Sequence, residues 1–173
     1  MTFSLYDATV PSFLQTLRAT IGWLGKAQTF AEESEMGEAA LMQAVLAEDM
    51  FAFNRQVRGT AMHSQGALEG AFNGKFSPDP TPAPETIAGL SARLGEAADY
   101  LAGLTPAAVN GLIGQPLLFQ IGETRMNFTA QDFLLSFSLP NFYFHTTTAY
   151  AILRHHGMAI GKRDFLGAVR VSG

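Results

Sequence analysis

The chain has 173 residues, enough for one ordinary domain with a substantial core. Hydrophobic residues make up 47% and charged residues 15%, against about 25% in an average soluble protein, which excludes disorder, collagen and a coiled-coil rod. A net charge of −4 offers no basic stripe for nucleic acid, and the absence of cysteine removes disulfides, cysteine–zinc or Fe–S sites and a thiol nucleophile.

The N-terminal MTFSLYDATVP lacks the basic and apolar regions of a signal peptide, so the cytoplasm is the expected compartment. Leu5, Val10, Phe13, Leu14, Leu17, Ile21 and Leu24 recur at three- and four-residue steps, predicting a first helix over about Tyr6 to Phe30 with Pro11 tolerated near its start. Lone Trp23 is expected in the core. Glu38 to Leu46 reads as a short helical return. A second long helix is expected from about Met50 to Phe72, broken by Asn73-Gly74.

Four of the eight prolines fall in the next stretch, Ser77 to Glu85, which must be extended and semi-rigid. From Asn73 to Glu85 a polyproline conformation covers roughly 40 Å, about the length of a 24-residue helix. The connection can therefore travel the whole bundle and leave the second and third helices parallel. The third helix is expected over Thr86 to Leu104. Residues 116–121 and 125–129 flank Gly122 as a small β-hairpin.

A fourth helix should start near Thr129, with Asp132 at N3, and end at Gly157 with a kink near Pro140. Phe133 to Leu153 carries no formal charge, but Pro140, Asn141, His145 and its threonines and serines argue for a buried helix rather than a membrane span. The expectation is an all-α, single-domain four-helix bundle over 1–173 with a hairpin before the last helix. Low charge and 14 phenylalanines predict a homodimer closed by helix faces, with no nucleic acid or membrane partner.

Ser138, Asn141, His145 and Thr148 are spaced by three or four, forming a polar strip on the fourth helix. Asp49, Gln56, Thr60 and His63 form a matching strip on the second. Because Gln56 and His63 are separated by about 10 Å along a helix, only one is expected to meet His145, and His63 is expected near an end of the bundle. His155 and His156 are expected to meet the last carbonyls of their helix. The strip is open to two readings, an internal hydrogen-bond network or a pocket.

Met1-Thr-Phe-Ser-Leu-Tyr-Asp-Ala-Thr-Val-Pro11, Asp49-Met-Phe with Gln56-Val, Leu139-Pro-Asn-Phe-Tyr-Phe-His145, Ala149-Tyr-Ala-Ile-Leu-Arg154 and Ile160-Gly-Lys-Arg-Asp-Phe-Leu-Gly167 resemble the bacterial family DUF1993 over essentially the whole chain. That family has no established activity and is placed by fold near the DinB/YfiT-like superfamily. The resemblance implies an up-down-down-up bundle. DinB-like proteins typically hold a divalent metal with three histidines, one on the second helix and a His-x-x-x-His pair on the fourth. Carried over, His145 matches the second of that pair, Asn141 stands at the first, and Gln56 at the helix-two position.

Two amides thus replace two imidazoles. Amide oxygens are poor ligands for zinc or nickel, leaving His145 as the one metal-type ligand. The site expected is a small-molecule pocket around Gln56, Asn141 and His145, supported by Asp49, Thr60, Ser138 and Thr148, with a degenerate metal position. The alternatives are a metal-dependent transferase or isomerase of the DinB-like kind and a non-catalytic dimeric binding or assembly protein.

Overall fold

The computed structural model describes residues 3–171 of a mostly helical chain with a small three-stranded sheet. Helix α1 (Leu5–Glu33) opens on a capping box, in which Ser4 accepts from the Asp7 amide and the Asp7 carboxylate accepts from the Ser4 amide. The helix runs through Pro11 without a break. Its inner face buries Val10, Phe13, Leu17, Trp23 and Leu24. After α2 (Gly37–Met42), residues 43–52 form an irregular loop whose Ala44 carbonyl accepts from the Phe53 amide.

The second long helix is built from α3 (Phe53–Ala61), a π-helical turn π1 (Met62–Gly66) and α4 (Ala67–Asn73). It starts later than the expected Met50, so Asp49 lies in the exposed loop rather than on a helix. Gly74 ends it at φ 66°, a left-handed cap that glycine takes without strain. Strand β1 (Lys75–Phe76) follows, then the proline-rich stretch, and α5 (Ile87–Ala102), capped by Thr86. After α6 (Pro106–Asn110) come β2 (Pro116–Ile121) and β3 (Thr124–Thr129).

The expected hairpin has a third member. Strand β1 pairs parallel with β2, Lys75 opposite Leu118 and Phe76 opposite Phe119, while β2 and β3 pair antiparallel from Pro116–Thr129 to Ile121–Thr124. The pairing seats the Phe76 ring on Phe119 at 6.0 Å, and Phe128, Phe133 and Phe137 complete an aromatic cluster beneath the sheet. Five of the 14 phenylalanines are thus consumed inside the chain, without any partner.

The fourth long helix comprises α7 (Ala130–Asp132), a second π turn π2 (Phe133–Ser138) and α8 (Leu139–His155). Thr129 caps it and accepts from the Asp132 amide. The irregularity expected at Pro140 takes the form of π2. Proline has no N–H to close the preceding turn, and the wider winding lies immediately before it. Gly157 (φ 90°) follows, and α9 (Lys162–Leu166) packs back on α1. Side chains from all the long helices join one buried apolar cluster. Among the described residues no helix is long and apolar enough to cross a membrane.

Candidate functional site

The second and fourth long helices face each other through a ladder of polar contacts. Near one end, Gln56 Oε1 lies 2.7 Å from His145 Nδ1. One turn further along the second helix, the Thr60 and Thr146 hydroxyls are 3.1 Å apart. At the other end, the Ser138 hydroxyl donates to the His63 carbonyl at 2.9 Å. All of these side chains, His63 included, are buried, His145 the least so at 8% exposure.

Gly59 makes the close approach possible. A Cβ built there would lie 2.7–2.9 Å from Cγ, Cδ2 and Nδ1 of His145, closer than any real contact. The imidazole therefore lies against bare backbone, between Gln56 on one side and His63 on the other. His63 stacks on it with ring centroids 5.4 Å apart and planes 16° from parallel.

This corrects the expectation for His63, which is buried beside His145 rather than placed near an end of the bundle. The 10 Å separation along the axis holds for backbone; a flat ring resting over a glycine can be met by side chains from the turns above and below it. The heptad spacing of Gln56 and His63 was the signal, since it keeps both on one face. Thr146, not Thr148, makes the hydroxyl contact across the helices, although Thr148 is also buried. Asn141 is half-buried and donates to the Phe137 carbonyl at 2.7 Å; no hydrogen bond joins it to His145 or Gln56. Asp49 is exposed and takes no part. His155 ends α8, while His156, the next residue, buries an Nε2 that has no partner among the described residues.

Phe51, in the loop before α3, was not foreseen. Its ring lies parallel to His145 (5°, 6.5 Å between centroids), and the Arg55 guanidinium sits 3.8 Å from its centre. Gln56 joins this loop to the imidazole, because its Nε2 donates to the Phe51 carbonyl at 3.0 Å. That bond fixes the amide, so Oε1 must accept and His145 Nδ1 must carry the proton. Nε2 of His145 is then the basic nitrogen. Burial holds His145 down to about 4, and burial together with the neighbouring His145 holds His63 down to about 3. Both rings are neutral at pH 7. The buried Nδ1 of His63 has no partner among the described residues.

A family model described as "Domain of unknown function (DUF1993)" matches residues 5–166. The chain belongs to the DUF1993 family. This DUF1993 chain is also similar to a crystal structure described as a DinB family member protein from Shewanella denitrificans. The TM-score is 0.80 at 29% identity, over 98% of this chain and 95% of that one. Among curated proteins there is no match.

The metal that the DinB resemblance implies does not fit the donors of this DUF1993 chain. Gln56 Oε1 is committed to His145, and the two imidazoles lie nearly parallel rather than converging on one point. Among the described residues no group of three His, Asp or Glu side chains could hold an ion. Zinc or nickel would need a third strong ligand from imidazole or carboxylate.

Proposed function

We propose that this DUF1993 protein is a DinB-like, up-down-down-up bundle that binds a small polar molecule at the Gln56–His63–Asn141–His145 face without a tightly held metal. The hydrogen bond from His145 Nδ1 to Gln56 carries the reading, because it leaves a neutral imidazole presenting Nε2 as an acceptor. The helix order is supported by contacts that advance together. Asn54 donates to the Pro84 carbonyl and Arg93 donates to Gln65, so the second and third long helices run the same way. Gln56 with His145 and His63 with Ser138 run oppositely, which makes the second and fourth antiparallel. Tyr6 at the start of α1 with Asn110 in α6 beyond the end of α5, and Glu38 in α2 beyond the end of α1 with Ile87 at the start of α5, support the same for α1 and α5.

Elemental analysis tests the site. Purified protein should carry well under one zinc or nickel per chain, and adding either ion should barely raise the melting temperature. A stoichiometric, chelator-resistant transition metal that is lost in His145→Ala would replace this reading with the metal-dependent transferase or isomerase. The homodimer is supported by Tyr143 and Phe144, exposed on the outer face of α8 at 38% and 55%. Light scattering at micromolar concentration should give twice the chain mass; the single mass would remove the dimer.

A further inference from the structure

A groove of about 630 Å³ runs between α1 and the C-terminal segment, remote from the His145 face in its lining residues. That segment lies antiparallel along α1 as a strap. Asp164 pairs with Lys26 at 2.5 Å, the Leu166 carbonyl accepts from Gln15, and Arg170 donates to the Ser12 hydroxyl. Gly167 holds the middle. Its φ of 60° suits glycine, and a Cβ there would come 2.8 Å from Ala19 Cβ.

The charge of the groove is the reverse of the chain's. Four of the 11 basic residues line it, Arg18, Lys26, Arg163 and Arg170, against one of the 15 acidic residues, Asp164. Asp164 is already taken by Lys26 and the Gly161 amide, and this engagement holds its carboxyl below the usual range. Arg18 and Arg163 are ion-paired to no carboxylate among the described residues. Between the cations the wall is apolar, with Tyr6, Pro11, Leu14 and Trp23. Trp23 is 1% exposed, and its indole Nε1–H has no hydrogen-bond partner among the described residues.

We propose that this groove binds a small organic anion with an apolar body, of the medium-chain carboxylate class, its headgroup held by Arg18 and Arg163 and its body lying over Leu14 and Trp23. The volume is that of a small-molecule site, and unpaired guanidiniums beside an apolar wall complement such a molecule at both of its ends. A plain inorganic anion would leave the wall uncovered. An uncharged amphiphile would leave the arginines unanswered.

Trp23 is the only tryptophan, so its emission reports on the groove directly. The test is a fluorescence titration of the full chain with sodium octanoate, alongside 1-octanol, sodium sulfate and phosphatidylglycerol vesicles. Octanoate should change Trp23 emission saturably, and octanol and sulfate should bind at least about tenfold more weakly. Arg18→Gln with Arg163→Gln should weaken octanoate at least about tenfold while the circular-dichroism melt stays unchanged. His145→Ala should leave octanoate binding as it is, which separates this site from the one proposed above. No saturable response, equal affinity for octanol, or undiminished binding in the double variant would each overturn the proposal. A response to sulfate alone, or to vesicles but not to octanoate, would replace it with a plain anion site or a lipid surface.

Discussion

Acidification from pH 6.5 to 4.5 should remove about 5 kcal/mol of folding stability, most of it through His63 and His145. Both rings titrate near 6.5 when unfolded, but are held to about 3 and about 4 in the fold. Between those values the unfolded chain binds more protons, so the stability that neutral rings allow is fully present above pH 6.5 and is lost as pH falls. Each ring contributes about 1.4 kcal/mol per pH unit across its window. Set against a typical total of 5–15 kcal/mol, that loss brings the protein close to acid unfolding. Urea melts at stepped pH measure it. His63→Leu, which keeps an apolar side chain among Phe76 and Phe137, should remove about half of the dependence. A flat profile, or an undiminished slope in that variant, would mean that the rings are not shielded as described.

Gly59→Val should cost about 3 kcal/mol, a fall in melting temperature on the order of 10 °C. The added carbons must enter the space already filled by the His145 ring, 2.7 Å from the new Cβ. Gly59→Ala should cost less, since alanine regains about 1 kcal/mol of helix propensity against the same clash. The ring can be identified as the obstacle by making the change in two backgrounds. In His145→Ala the valine should cost under about 1 kcal/mol, so the two substitutions couple strongly. Equal costs in both backgrounds would place the helices further apart than the Gly59–His145 contact requires.

Periodicity carried the reading of the helices because their buried faces repeat at helical spacing, as Val10, Phe13, Leu17 and Leu24 do in α1. Capping chemistry placed Thr129 with Asp132 and the break at Gly74. The parallel strand β1 was invisible, since two residues have no period and their partner lies some forty positions away. At the site, Gln56 with His145 was legible from family alignment joined to helical spacing. The place of His63 was not legible, because rise per residue separates backbones and the missing Cβ of Gly59 decides what the ring can touch. Phe51 lies in a loop, where no spacing rule says which way a side chain points.

The two π turns face each other, π1 at Met62–Gly66 and π2 at Phe133–Ser138, joined where Ser138 donates to the His63 carbonyl. A π turn holds an extra residue in a helix that otherwise continues, so in lineage terms each resembles a single-codon insertion absorbed without breaking the rod. Rewinding 62–66 as α with its length unchanged would rotate everything after it by about 100°. Leu68 and Ala71 would swing out of the core, and Gly70 would leave Phe76, against which it leaves no room for a Cβ, taking the sheet's first strand with it. The wide winding of this short segment, more than the identity of most residues in it, is therefore what selection has to preserve.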